Sequence, residues 1–363
     1  MRVLFLSHGA NLDGGAEKVL LRIIAGLDLK RFAPVVVLPG KGQFSARLEE
    51  LGIPYYLVPQ FWMVFRGAKA PVLAVNCLLN IAPVRRLCRV IAQERIDLVY
   101  SNTIVIFGGG VAARLAGVPH VWHLHEFVFR SPSLEFGFGG RILKRTIDVL
   151  ADRVIAVSRA VADDLGLSST AGKVAVVPNG LLPESWAPVP MDRVENLRCE
   201  FGVPERGRII VFLGNLVASK APEKAVEASG RIKRQDVYLI MVGGHGEKPT
   251  MRRIEQAIAR YGLAGRVILT GYRTDVPRFL AAADVAIVPT LTEAWGLATA
   301  EAMAAGLPVV AGKGGNNVDL IEDGGTGYLV ENGDPEGMAR RIEQLLDDEG
   351  LRRRMGEAAR EAS

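Results

Sequence analysis

Cysteine is scarce in this chain of 363 residues. Cys77, Cys88 and Cys199 are too few and too scattered for a disulfide framework or a zinc site, which points to a reducing compartment. Long apolar runs are missing too. The opening run Val3–Leu6 is far shorter than a signal-peptide core and leads into a polar, glycine-rich loop. The apolar stretch Pro71–Val84 has 14 residues interrupted by Asn76 and Asn80, whereas a spanning helix needs about 20. A soluble or peripheral protein is expected. Low-complexity segments are also lacking: 40 glycines and 19 prolines are spread along the chain, as many tight turns require and linkers or collagen-like repeats do not. What is there, 49% hydrophobic and 23% charged residues with 7% aromatics, is an ordinary globular composition, long enough for about two domains.

Excess positive charge is absent from one half. Residues 1–180 carry 21 Lys and Arg against 13 Asp and Glu, and residues 181–363 carry 23 against 26. The net charge of +5 therefore arises wholly in the first half, which suggests an anionic partner met there. A solvated basic surface with no specific partner is the alternative. No aromatic stacking platform or helix-turn-helix pattern accompanies the cations, so no nucleic-acid partner is expected.

Short β-branched runs alternate with helical patterns throughout. Arg2–Ser7, Ala33–Leu38, Tyr55–Val58, Leu98–Ser101, Val121–Leu124, Arg153–Val157 and Lys173–Val177 read as buried strands, with helical spacing in Ala16–Leu27 and Phe44–Leu51. The alternation pauses at Leu181–Pro190, where Pro183, Pro188 and Pro190 disfavour regular structure. It restarts with Ile209–Leu213, Tyr238–Val242, Val267–Thr270, Val285–Val288, Val309–Val310 and Tyr328–Val330. The expected fold is α/β: two doubly wound, Rossmann-like domains, residues 1–185 and 186–363. Ligands of such sheets bind beyond the carboxyl ends of the strands, and the cleft between two such domains is the expected active site.

The stretch Asp284–Asn317 is the richest in candidate chemistry. A buried strand ends at Pro289, a loop follows, and a helix starts near Gly296. Glu293 lies in the loop and Glu301 in the helix. Eight residues on a continuous helix would separate them by about 12 Å, beyond the roughly 5–9.5 Å of two carboxylates flanking one glycosidic bond. The spacing suits two carboxylates holding opposite ends of one extended ligand, with a helix N-terminus between them for a diphosphate. A dipole-complementing Glu293 and a solvated Glu301 are the bland alternative.

With its neighbours this block resembles the retaining glycosyltransferases of family 4, the glycogen-synthase-like group 1 enzymes of the GT-B fold. The matching elements are Glu293, Trp295-Gly296, Glu301-Ala302-Met303-Ala304 and Gly306-Leu307-Pro308-Val309-Val310. Elsewhere, Gly14-Gly15-Ala16 is similar to the family's first glycine loop, His125-Glu126 to its histidine-acid strand end, and Val177-Pro178-Asn179-Gly180 to its inter-domain motif. The resemblance implies that Glu293 holds donor-sugar hydroxyls, that Glu301 holds the ribose, and that backbone N–H groups at Gly296, Leu297 and Ala298 face the sugar and diphosphate. Carboxylates, being acceptor-only, suit hydroxyl donors.

The stretch Gly214-Asn215-Leu216-Val217-Ala218-Ser219-Lys220 follows the second domain's first strand, and the resemblance makes Lys220 the cation for the leaving diphosphate. Similar enzymes commonly have Arg where Asn215 stands and Gly where Ala221 stands. Gly14 and Gly15 are expected to bring N–H groups over the diphosphate. His123 and His125 alternate on one strand and share a face; His125 is expected to contact the donor sugar, with structural histidines or a metal pair as alternatives. Gly243-Gly244-His245-Gly246 and Gly271-Tyr272-Arg273 end two further strands; the resemblance implies that these loops hold the nucleobase, and ordinary strand-end turns are the alternative. No Asp-x-Asp pair occurs, which removes the usual metal–diphosphate anchor of the other large glycosyltransferase fold, so no cofactor and no metal are expected.

On the acceptor side, Phe61, Trp62, Met63, Val64, Phe65 and Arg66, with Lys69, Arg85, Arg86 and Arg89, mix apolar groups with cations. They suit an anionic membrane surface or a lipid-linked diphosphate acceptor, although core packing explains the apolar members equally well. Phe127, Phe129 and Arg130 are candidates for the acceptor mouth. The chain stops at Arg360-Glu361-Ala362-Ser363 in a polar helical segment, and a terminal helix crossing back to the first domain is expected to be missing. The expected function is retaining, metal-independent transfer from a nucleotide-diphosphate sugar to a glycan or lipid-linked hydroxyl, in the cytoplasm or at the inner face of the cell membrane. A non-catalytic nucleotide-sugar-binding subunit and a sugar-nucleotide epimerase are the alternatives.

Overall fold

The computed structural model describes residues 1–363 except 13, 131–134, 167–171, 182–188 and 245. It divides into two units, Met1–Gly180 and Leu181–Ser363. The boundary expected at 185–186 lies outside the described residues.

The first unit has strands β1 (Arg2–Leu6), β2 (Ala33–Leu38), β3 (Tyr55–Leu57), β4 (Leu98–Ser101), β5 (His120–Leu124), β6 (Arg153–Ala156) and β7 (Val174–Val176). All pair in parallel in the order β3-β2-β1-β4-β5-β6-β7. Strands β1, β2 and β4 are buried almost throughout, as a sheet covered by helices on both faces requires. The helix Gly15–Ala25 covers one face with Val19, Leu20 and Ile24, and Leu20 and Ile24 pack with Val3, Phe5, Val36 and Leu38. The direction of winding reverses between β1 and β4, which makes their carboxyl ends the switch point.

The second unit repeats the plan with β8 (Arg208–Leu213), β9 (Val237–Val242), β10 (Val267–Gly271), β11 (Val285–Val288), β12 (Val309–Gly312) and β13 (Gly327–Val330). Their order is β10-β9-β8-β11-β12-β13, again parallel, with the switch point between β8 and β11. Side chains alternate between two cores. Ile210, Phe212, Leu239, Met241, Val285 and Ile287 enter one, while Ile209, Val211, Ile240, Val242, Ala286 and Val288 enter the other. That period of two, apolar on both faces, explains why these strands read as continuous hydrophobic runs. The last helix, Glu349–Ala362, buries Met355 and Ala359 within this unit, and Arg360 donates to the Ala305 carbonyl at 2.8 Å.

Among the described residues no single helix is long and apolar enough to cross a membrane. The apolar stretch Pro71–Val84 is divided between two helices, Ala70–Leu79 and Ile81–Gln93, bent by 42° where Asn80 interrupts it.

Candidate functional site

In the second unit the loops after β8 and β11 meet at the switch point. The loop after β8 turns through a short 3₁₀ segment, Ala218–Lys220, and aims Lys220 at the loop after β11. Its ammonium donates to Glu293 Oε2 at 2.6 Å; the Lys220 side chain is 31% exposed and that of Glu293 only 8%. The Gly296 N–H donates to Glu293 Oε1 at 3.2 Å, so both carboxylate oxygens are held. Gly296 itself has φ +91°, the left-handed region that glycine adopts without a Cβ penalty, and an added Cβ would lie 2.6 Å from Leu320 Cδ1.

From Gly296 the helix Leu297–Ala304 departs with no side-chain cap. Its first N–H groups, including those of Leu297 and Ala298, have no intrahelical partner and carry the positive end of the dipole. Glu301 lies within this helix, half-buried. The Glu293–Trp295 loop is braced from behind by Asn316, which is 2% exposed. Asn316 donates its backbone N–H to the Glu293 carbonyl at 2.7 Å and its side-chain amide to the Trp295 carbonyl at 2.7 Å. Gly315, at φ +65°, permits this approach, since a Cβ there would sit 2.0 Å from the Glu293 carbonyl oxygen. The Trp295 indole nitrogen is buried and has no hydrogen-bond partner.

Gly214, Gly243 and Gly271 lie at the ends of β8, β9 and β10, laced together by backbone bonds. Gly214 N–H donates to Val242 at 3.0 Å and Gly243 N–H to Gly271 at 3.1 Å. A Cβ on Gly243 would be 1.9 Å from the Gly214 carbonyl oxygen, so glycine is needed for loop contact. Asn215 is exposed beside them, and Tyr272 is 42% exposed. His245 lies outside the described residues. The structure thus collects Lys220, Glu293, Gly214, Asn215, Gly243, Gly271, Tyr272, Trp295, Gly296, Leu297, Ala298 and Glu301 on one unit, along or beyond the carboxyl edge of a single sheet.

The first unit gathers a different set. His125 follows β5 and donates Nε2–H to the Asn102 side-chain oxygen at 3.0 Å. Asn102, at the end of β4, donates its amide to the Ala16 carbonyl at 2.8 Å, which fixes the orientation of the amide and hence the tautomer of His125. The glycine loop Gly14-Gly15-Ala16 and His125 are therefore joined through Asn102, a residue that sequence reasoning missed. Its type is common in loops, and no spacing marks it.

The rings of His123 and His125 lie 4.0 Å apart, and the Tyr100 hydroxyl bonds His123 Nδ1 at 2.5 Å. Burial lowers His123 to about 4 and holds His125 well below the ordinary imidazole range, the latter helped by His123 and His8. Both imidazoles are neutral at pH 7. Glu126 Oε2 is buried without a partner, and desolvation, with the charge of Glu17, pushes its carboxyl up to about 7.

Glu17 folds back under the glycine loop. Its carboxylate takes the space where a Cβ of Gly9 or Gly14 would sit, and it lies 3.2 Å from His8 Nε2. Among the described residues no group of three His, Cys, Asp or Glu could hold a metal ion. Phe127 is 5% exposed and packs in the interior, so it does not line an open mouth. The Asp164 carboxylate accepts the N–H groups of Val128, Phe129 and Arg130 at 2.6, 2.8 and 3.0 Å, pinning the segment after Glu126.

Two family descriptions match the chain. A glycosyl transferase 4-like domain matches residues 14–180, and glycosyl transferases group 1 match residues 194–362. N-acetyl-alpha-D-glucosaminyl L-malate synthase of Bacillus anthracis is 35% identical over 167 residues, 46% of this chain and 43% of that protein. The UDP-Gal:alpha-D-GlcNAc-diphosphoundecaprenol alpha-1,3-galactosyltransferase of Escherichia coli is 27% identical over 286 residues, 73% of this chain and 70% of that protein. Among solved structures, Anabaena Alr3699/HepE in complex with UDP and glucose superposes with a TM-score of 0.84 at 26% identity, covering 99% of this chain and 94% of that one. The chain spans about half the length of the first curated relatives it matches. With two parallel-sheet α/β units and such neighbours, the architecture is GT-B.

Proposed function

The chain belongs to the group 1 glycosyltransferases of family 4, and from that premise we propose that it moves a sugar from a nucleotide-diphosphate sugar to a hydroxyl of a glycan or lipid-linked acceptor, with retention of configuration and without a metal ion. The observation that carries this reading is the Lys220–Glu293 pair at the switch point, beside an uncapped helix start. A diphosphate placed on the N–H groups of Leu297 and Ala298 would meet a cation already fixed in position. Lys220 then neutralises charge that grows as the bond from anomeric carbon to phosphate oxygen breaks. Glu293, held on both oxygens, keeps lone pairs for sugar hydroxyls.

On this reading the acceptor oxygen attacks from the face that the phosphate leaves. The departing phosphate takes the acceptor proton, so no nucleophile from the protein is needed. Orientation and electrostatic stabilisation are the protein's contribution. UDP-bound Anabaena HepE makes UDP-sugars the first donors to try, and the diphosphoundecaprenol substrate named for the E. coli relative supports a lipid-linked acceptor. The basic first half would face an anionic membrane, placing the protein at the inner surface of the cell membrane.

The test is a thermal-shift comparison of UDP-, GDP- and ADP-sugars, since a bound ligand stabilises the folded state, followed by transfer assays with the product anomer read by NMR. One nucleotide class should raise the Tm, the product should keep the donor's configuration, and chelator should leave the rate unchanged. Lys220→Ala and Glu293→Ala should keep the fold and lose turnover. Near-normal transfer by both variants overturns the assignment. Donor binding with no hydrolysis or transfer would instead favour a non-catalytic subunit, a reading motivated by the exposed Asn215 where similar enzymes have Arg.

A further inference from the structure

Between Glu50 and Glu94 the chain has no acidic residue, yet it holds Arg66, Lys69, Arg85, Arg86 and Arg89, all exposed. The same segment contains the helix Ala70–Leu79, in which only Leu73 is buried. Val72, Val75, Leu78 and Leu79, with Ile81 after the bend, are between 45% and 68% exposed. A helix that is apolar all round belongs in a core or in lipid, and this one is in neither. Scattered exposed apolar residues need no explanation, but a contiguous set marks an interaction surface.

The surface is built, not frayed. Asn80 accepts the Phe61 N–H at 3.0 Å and donates to the Phe61 carbonyl at 2.8 Å, while Asn76 donates to the Trp62 carbonyl at 2.8 Å. The two asparagines that interrupt the apolar run thus clamp the Phe61–Trp62 segment to the helix. Both rings are left 40–44% exposed. The following helix, Ile81–Gln93, buries Val84, Leu87, Val90 and Ile91 and is anchored in the unit. Only the ten-residue helix is available, about 15 Å long against a hydrocarbon core of roughly 30 Å, which suits lying in a membrane surface and not spanning it.

We infer that Phe61–Arg89 is a docking surface for an anionic lipid bilayer. The helix Ala70–Leu79 and the rings of Phe61 and Trp62 enter the headgroup boundary, and the five cations meet lipid phosphates. Charge decides against a second copy of this chain as the occupant. A two-fold interface would set the five cations of one copy against the same five of the other, and residues 51–93 contain no acidic residue to offset them. The inference deepens the membrane-facing part of the proposed function and rests on that part alone. Docking needs neither donor nor acceptor, so its failure leaves the transfer reading standing.

The test is flotation of the full chain with vesicles of phosphatidylcholine alone or mixed with phosphatidylglycerol, together with quenching of Trp62 fluorescence by brominated lipid. Binding is expected to the anionic vesicles only, with quenching that Trp62→Phe removes. Val75→Ser with Leu78→Ser should weaken it about a hundredfold, from the apolar area withdrawn. Arg85→Gln with Arg86→Gln should weaken it about 30-fold, each cation near such a surface contributing about a tenfold factor or less. All four side chains are exposed, so the Tm should not move; the quenching experiment, on the unaltered chain, decides the matter even if a variant unfolds. Absence of binding to anionic vesicles overturns the inference. So does binding that salt abolishes and the Val75/Leu78 pair leaves unchanged, and so does a dimer that this pair dissociates without any vesicle binding.

Discussion

Both units wind their sheets the same way about a switch point, but the loops there hold different chemistry. In the first, the neutral imidazoles of His123 and His125 lie ring against ring, His125 is bonded to Asn102, and the next residue, Glu126, has its carboxyl pushed up to about 7 by desolvation and the charge of Glu17. In the second, Lys220 and Glu293 form a charged pair with backbone N–H support. Burial dominates one site and ion pairing the other. A common scaffold therefore does not dictate the electrostatics of its edge; the few loop side chains do.

Turnover should break or sharpen that contrast most visibly. Removing the cation of the second unit, Lys220→Ala, is expected to lower kcat about a thousandfold, the magnitude of losing one fixed transition-state stabiliser. His125→Ala, which deletes a neutral hydrogen-bonding group, should lower it only about tenfold. Steady-state kinetics with the donor found by thermal shift decide between them. A larger loss at His125 would move the charge chemistry to the first unit.

Acid should separate the units next. Burial holds His120 and His123 at about 4 in the folded chain. The unfolded chain therefore binds more protons between about 4 and 6.5, and stability that is whole above 6.5 is lost as pH falls toward 4, by up to ~3 kcal/mol for each imidazole. Glu126 works the other way: its folded pKa is raised, so its contribution is present below the ordinary carboxylate range and lost as pH rises through about 7. Two imidazoles outweigh one carboxyl, and the first unit should weaken toward acid. In the second unit, hydrogen bonds from Arg234 and Arg273 hold Asp236 and Asp275 below the usual range, so their contributions fade only at lower pH. Hydrogen exchange read unit by unit at pH 7 and pH 5 should show protection falling in residues 1–180 first.

Much of this was legible from residues alone. All thirteen described strands were expected within a few residues, because parallel strands covered on both faces leave unmistakable apolar runs. Glu293 and Lys220 were each identified, but their bond joins positions 73 apart and exists only because β8 and β11 are neighbours. Asn316, Asn102, Asp164 and Glu17 were invisible for a related reason. Each acts on backbone or on a carboxylate brought close by topology, and nothing in its local sequence distinguishes it from an ordinary loop or helix residue.

Glycine tests the comparison at smaller scale. A Cβ on Gly243 meets a rigid carbonyl at 1.9 Å, whereas one on Gly14 meets only the flexible end of Glu17 and one on Gly15 meets nothing within 4 Å. Gly243→Ala should cost ~2 kcal/mol by overpacking, while Gly15→Ala should change stability by no more than ~0.5 kcal/mol, both read by denaturant unfolding. If Gly15→Ala weakens donor binding with stability unchanged, the first unit's loop touches the donor; if it leaves binding intact, donor contact belongs to the second unit.

Backbone strain carries a comparably small effect. Among the described residues two that are not glycine have positive φ: Arg95 at +50° in the first unit and Ala221 at +45° in the second. Arg95 sits before β4, at the opposite edge from the site, whereas Ala221 directly follows Lys220 and is 2% exposed. A left-handed alanine costs roughly 1–2 kcal/mol, part of which glycine returns through a freer unfolded chain. Ala221→Gly and Arg95→Gly should therefore each stabilise their unit by about 0.5–1 kcal/mol in thermal or denaturant melts. Their effects on turnover should differ. Relaxing the turn beside Lys220 lets its ammonium shift relative to Glu293 and should change kcat, while Arg95→Gly should not. Equal, unchanged turnover in both would mean that the strain at Ala221 is only a packing cost and that Lys220 is held by Glu293 alone.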